Sequence, residues 1–141
     1  MIRLGTDIVY IPRIQATIDR FGDRFLQRVY TQAEQLDCGY GNSSPSRLSI
    51  NRLAGRWAAK EAVAKALGTG WCGVSYTDIE IRRQPSGAPA VHLHRQATAV
   101  VAIWGEGQWQ LSLSHDGNYA IATALLVCST EQQSPLRGNA N

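Results

Sequence analysis

Apolar residues gather around Gly5-Thr6-Asp7 between Ile2 and Val9, a pattern that predicts a short buried strand with a carboxylate near its end. Pro12 stands where a first helical residue would. Ile14, Ile18, Phe21 and Phe25 then recur at helical spacing, so residues 12–28 read as an amphipathic helix with Gly22 as its point of interruption. Thr31-Gln32-Ala33-Glu34 has the spacing of a capping box and opens another short helix. Turn formers crowd Cys38 to Ser46, which reads as a mobile surface loop. From about Asn51 to Leu67 strong helix formers run without a break and stop at Gly68-Thr69-Gly70, the ending expected of a glycine-terminated helix. Alternation at Asp78–Arg82 and at Val91–Leu93, on either side of Pro85-Ser86-Gly87, predicts a hairpin. Ala97, Val100, Val101 and Trp104 predict a further helix. Trp109–Ser114 alternates, His115-Asp116-Gly117-Asn118 turns, and the nearly wholly apolar Tyr119–Val127 reads as a strand buried on both faces. Antiparallel hairpins with helices between them make the fold class α+β, with residues 1–128 as a single domain and 129–141 as a frayed tail.

A chain of 141 residues with 44% hydrophobic and 18% charged positions suits one ordinary core. Fourteen Lys and Arg against eleven Asp and Glu leave a charge of +3, too little to coat nucleic acid through bulk charge, so electrostatic recognition has to be local. Cys38, Cys72 and Cys128 make an odd count without a C-x-x-C pair, which fits free thiols in a reducing compartment. Neither a leader nor an apolar run of membrane-spanning length is legible, so the expectation is a cytoplasmic protein without membrane or nucleic-acid partners.

The helix of residues 51–67 carries the sharpest chemical signal. Leu53, Trp57, Glu61 and Lys65 follow one another at i, i+4 spacing and form one stripe. On spacing alone, Glu61 and Lys65 read first as a solvated pair contributing about 0.3–0.5 kcal/mol. Against that, the only two lysines of the chain, Lys60 and Lys65, flank this glutamate, and Trp57 one turn away implies a face turned toward something other than water. Asp7 and Glu61 could supply the two carboxylates that a Mg²⁺ ion takes, although Asp7 near a strand end equally fits a helix cap. His92 and His94 lie on one side of a strand without a third ligand beside them and read as solvent-facing, and His115 at a hairpin mouth could reach an anion. Arg13, Arg20 and Arg24, with Arg28 just beyond, fall within a narrow helical arc that reads either as a face neutralised by Asp19 and Asp23 or as a docking surface for an acidic partner.

Gly5-Thr6-Asp7-Ile8-Val9, Arg13-Ile14, the run Leu53-Ala54-Gly55-Arg56-Trp57-Ala58-Ala59-Lys60-Glu61-Ala62-Val63-Ala64-Lys65-Ala66-Leu67-Gly68-Thr69-Gly70, and Ser112-Leu113-Ser114-His115, taken in that order, resemble the holo-acyl-carrier-protein synthases. These are the short members of the 4′-phosphopantetheinyl transferases. The resemblance spans residues 1 to about 127 and implies an antiparallel sheet with a long central helix packed on it. It implies an enzyme of fatty acid biosynthesis that moves phosphopantetheine from coenzyme A to a serine of acyl carrier protein and releases adenosine 3′,5′-bisphosphate. Asp7 and Glu61 would be its Mg²⁺ ligands, and Asp7, Glu61 and Lys65 its catalytic residues. Arg56, Lys65, Gly68 and His115 would meet coenzyme A, and the serine proton would pass to Glu61 or to a metal-bound water. Arg13, Arg20, Arg24 and Arg28 would dock the acidic carrier protein. Short members resemble one another in forming homotrimers with coenzyme A between subunits, so His115 would act in a neighbour's site. Trp57 where phenylalanine is usual, and the glycine- and serine-rich stretch from Cys38 to Ser49, depart from the pattern. A module that docks an acidic protein without catalysis is the alternative; it predicts a complex and no mass gain. A nucleic-acid binder using the same arginines is weakened by the aspartates among them.

Overall fold

In a computed structural model, residues 1–40 and 46–129 are described. A strand, β1 (Ile2–Tyr10), leads into α1 (Ile11–Phe21), α2 (Asp23–Val29) and α3 (Gln32–Asp37), and then into the long α4 (Arg47–Leu67). After a single 3₁₀ turn at Tyr76–Asp78 come β2 (Ile79–Arg83), β3 (Pro89–Leu93), α5 (Arg95–Ala102), β4 (Gly107–Asp116) and β5 (Tyr119–Cys128). Two antiparallel sheets result, β1-β5-β4 and the hairpin β2-β3, so the α+β architecture is as expected. The helix expected over 12–28 is two helices, because Gly22 takes φ 54° and breaks the run. Thr31 and Glu34 form the reciprocal capping box that their spacing predicts. α4 starts earlier than its composition suggests because Ser46 caps it, accepting from the Ser49 amide. Of the expected mobile loop, residues 41–45 fall outside the described residues, as does the expected tail from residue 130.

α4 lies across the sheet at close range because both partners are lined with small side chains. Ala54, Ala58, Ala59, Ala62 and Ala66 on the helix and Ala120, Ala122 and Ala124 on β5 are all buried. Gly5 of β1 passes so near the helix that a Cβ there would run into the Ala62 carbonyl oxygen. This approach fixes the height of β1 against α4, and with it the position of Asp7, two residues further along the same face.

One expectation fails. β5 is buried on one face only: Ala120, Ala122, Ala124 and Leu126 face α4, while Tyr119, Ile121 and Val127 face outward and are exposed. β1 adds Ile2 (69% exposed), Leu4 (64%) and Ile8 (63%). The apolar composition that suggested burial on both faces is real, but among the described residues nothing covers the second face.

Candidate active site

Strand β1 and helix α4 bring together three of the residues singled out from the sequence. Lys65 does not pair with Glu61 one turn before it. Its Nζ reaches across to β1 and donates to Asp7 Oδ1 at 3.0 Å and to the Thr6 carbonyl at 2.8 Å. Asp7 caps no helix, since Tyr10 is the N-cap residue of α1 and offers no side-chain bond. The Asp7 side chain is 17% exposed and that of Lys65 54%, so the pair sits at the rim of the fold rather than in its core. Glu61 is thus one helical turn, about 5–6 Å between Cβ atoms, from the lysine that holds Asp7.

Glu61 takes its own hydrogen bonds from a stack of aromatic rings. The Tyr76 hydroxyl donates to Oε1 at 3.1 Å and Trp71 Nε1 to Oε2 at 3.3 Å. Trp71 and Tyr76 stack with ring centroids 3.8 Å apart, Tyr76 stacks on Trp57 at 5.0 Å, and Trp57 meets Phe25 at 5.9 Å. Trp57 therefore faces a partner, as its place on the stripe implies. Burial, and after it the negative charge of Glu61, pushes the Tyr76 hydroxyl up to about 12, so it stays a donor across the working pH range. Neither Trp71 nor Tyr76 was legible as a site residue, because each follows α4 in an irregular stretch whose path the sequence does not specify.

Beside this stack runs a groove of about 440 Å³ lined by Phe21, Arg24, Phe25, Arg28, Trp57 and Tyr76, among others. Arg13, Arg20, Arg24 and Arg28 are all exposed, and among the described residues none is ion-paired with Asp19 or Asp23. The break at Gly22 divides this basic set between two helices, so it forms no single arc.

Arg56 and His115 lie elsewhere. Arg56 is buried, and its Nε donates to the Ile81 carbonyl at 3.2 Å. It lines a second cavity of about 400 Å³ shared with Arg52, Arg82, Arg83 and Asp37, a strongly cationic lining although Asp37 binds Arg82 at 2.9 Å. His115 is exposed near the end of β4, and β5 separates it from β1. Gly68 takes φ 78° and closes α4 as its C-cap, with the Arg3 guanidinium packed against it. His92 is exposed, and His94 contacts Glu80 at 3.3 Å. Lys60 is absent from the surface. With Glu34 it forms an ion pair of 2.7 Å in which both side chains are fully buried.

Among the described residues, no three His, Cys, Asp or Glu side chains gather closely enough to hold a metal. Asp7 and Glu61 fit instead the open kind of site in which two hard carboxylates hold a Mg²⁺ ion and other oxygens complete its shell.

The family model of the 4′-phosphopantetheinyl transferase superfamily matches residues 3–124. The chain belongs to this superfamily. Among its relatives in the 4′-phosphopantetheinyl transferase superfamily, the holo-[acyl-carrier-protein] synthase of Gloeobacter violaceus is 54% identical, over 89% of this chain and 92% of its own length. That of Shewanella baltica is 45% identical, covering 89% and 96%. Solved structures of the superfamily agree with the fold. The synthase from Neisseria meningitidis superposes with a TM-score of 0.78 at 33% identity, over 90% of this chain and 99% of the other. The Helicobacter pylori synthase in complex with coenzyme A does so with 0.73 at 32%, over 88% and 99%. The matched span of the 4′-phosphopantetheinyl transferase superfamily includes β1 from Arg3 onward, the whole of α4 and the β4–β5 hairpin up to Ala124. Asp7, Glu61, Lys65, Arg56 and His115 all lie inside it. Among the described residues no helix is long and apolar enough to cross a membrane.

Proposed function

We propose that this chain transfers 4′-phosphopantetheine from coenzyme A to a serine of apo-acyl carrier protein, as a cytoplasmic, Mg²⁺-dependent step of fatty acid biosynthesis. The observation that carries the reading is the Lys65–Asp7 contact between α4 and β1, one helical turn from Glu61, supported by near-complete coverage of relatives named for this activity. In the reaction the serine Oγ forms a bond to the β-phosphorus of the coenzyme A pyrophosphate. The bond from that phosphorus to the bridging oxygen breaks, and adenosine 3′,5′-bisphosphate leaves with the electron pair. Asp7 and Glu61 would hold the Mg²⁺, which when bound offsets charge on the pyrophosphate and on the departing bisphosphate. The serine loses its proton as the new bond forms, and it would pass to Glu61 or to a water at the cation. Lys65, with its ammonium at the rim, can turn from Asp7 to a phosphate oxygen at little cost because an exposed pair contributes little. Arg56 and Gly68, with His115 of a neighbouring subunit, are assigned to coenzyme A; the cationic cavity around Arg56 suits its nucleotide phosphates.

The test is direct. Purified protein, Mg²⁺, coenzyme A and apo-carrier are incubated, and the carrier is weighed by mass spectrometry. A gain of one phosphopantetheine is expected; a complex without mass gain would leave only the docking reading.

Arg13, Arg20, Arg24 and Arg28 are assigned to the acidic carrier. Replacing Arg20 and Arg24 together by glutamate is expected to raise KM for the carrier by about tenfold or more with kcat nearly kept, because each lost attraction becomes a repulsion. A KM left unchanged in steady-state assays would move the docking surface elsewhere.

The apolar face of Ile2, Leu4, Ile8 and Ile121, uncovered among the described residues, supports self-association, since a patch of this kind is unusual on a monomer, and the family resemblance makes the assembly a homotrimer. Sedimentation equilibrium is expected to return the mass of three chains, and Leu4→Asp to return that of one.

A further inference from the structure

A glutamate on the outer turn of a helix has several freely rotating bonds, and an unrestrained carboxylate would spend most of its time misdirected. Glu61 is restrained. Each of its oxygens has a separate donor, and both donors belong to a single stacked unit, Trp71 on Tyr76. That unit is fixed from two further sides. Trp57 stacks on the far face of Tyr76, and the Tyr76 backbone carbonyl accepts a 2.9 Å hydrogen bond from Lys60 Nζ.

We propose that Tyr76 and Trp71 are positioning residues, whose hydroxyl and indole N–H hold the Glu61 carboxylate in the orientation in which it takes the divalent cation. The inference rests on the reading of the site given above. Ordinary packing would explain the stacking of the rings but not their polar ends. Both residues are only partly buried, so water could satisfy the hydroxyl and the indole N–H, yet both point at one carboxylate. The donors are also neutral. They orient Glu61 without cancelling its charge, and two donors leave about half of the carboxylate's roughly four lone-pair sites for a cation. Lys65, the cation one turn away, is directed at Asp7 and Thr6 instead.

Tyr76→Phe and Trp71→Phe each remove one donor and keep a ring in the stack. Mn²⁺ serves as the probe, titrated by electron spin resonance into the protein–coenzyme A complex without carrier, so that no turnover is needed. Loss of an outer hydrogen bond to a metal ligand costs about 10–100-fold in affinity. Tyr76→Phe is expected near the lower bound and the double variant near the upper. Thermal midpoints should be almost unmoved, and transfer should be largely restored by excess Mg²⁺. Wild-type Mn²⁺ affinity in Tyr76→Phe, whether or not its rate or melting temperature falls, overturns the positioning role while the wild type still transfers. A wild-type protein that neither binds Mn²⁺ nor adds mass to the carrier overturns the underlying reading, and the positioning role with it.

Discussion

Glu61→Ala is expected to lower transfer of phosphopantetheine by at least about 10³-fold while the protein stays folded. The size follows from what is lost together. Removing one preorganised electrostatic contact to a developing charge costs about 10²–10³-fold, and on the proposed reading the carboxylate would also hold the cation together with Asp7 and take the serine proton. Folding should survive, because Glu61 is not fully buried and its two neutral donors, Tyr76 and Trp71, can turn to water. Asp7→Ala should behave alike, since it frees Lys65 from a rim pair contributing under about 1 kcal/mol to stability. Rates are read from the mass of the carrier at saturating coenzyme A. Either variant turning over at the wild-type rate would remove its carboxylate from the cation. Carrier binding should be nearly normal in both, which separates lost chemistry from lost docking.

Lys60→Met is expected to destabilise the fold by about 3–5 kcal/mol, the cost of leaving a buried partner charge uncompensated. Lys60 donates to Glu34, to the Tyr76 carbonyl and to the Ile79 carbonyl, the last at 2.6 Å. Glu34 in turn accepts from the Thr31 and Ile81 amides at 2.9 and 3.0 Å. Every polar end in this cluster is used, and no buried side-chain polar atom is left without a partner among the described residues. Burial holds the Lys60 ammonium below the usual lysine range against the pull of Glu34, which marks how much the charge depends on that pairing. At about 3 °C per kcal/mol for a chain of this size, the melting temperature should drop by roughly 10–15 °C. Lys60→Met combined with Glu34→Gln should recover part of this, because the charge then goes while the amide can still accept from Thr31 or Ile81. A loss below about 1 kcal/mol in the single variant would mean that water reaches the pair.

What could be read along the chain was what short segments decide for themselves. The Thr31–Glu34 cap, the stop at Gly68, the break at Gly22 and both hairpins depend on residues a few positions apart, and each is found, although the turn expected over His115–Asn118 tightens to Gly117-Asn118 because His115 and Asp116 pair within β4. The partners of the charged residues could not be read this way. Spacing gave Lys65 to Glu61, yet the helix carries that ammonium to a strand 58 positions earlier. It gave Lys60 no partner, and Glu34, 26 positions away, serves both as a helix cap and as a buried counter-ion. The motif around Glu61 was legible by resemblance, but the rings that hold Glu61 come from an irregular stretch with no period to follow. The outward face of β5 departs from its pattern for a related reason: apolar composition reports that a face avoids water, not which molecule covers it.

The pairing of β1 with β5 has a consequence for biosynthesis. The amino group of Met1 donates to the Cys128 carbonyl, 127 positions away, and among the described residues β5 is the strand that pairs with β1. On a ribosome adding about 5–20 residues per second, the strand that bears Asp7 must therefore wait several seconds for its partner to be made. Until then the backbone N–H and C=O groups of β1 lack their ladder partners, and the nascent chain is open to capture by chaperones.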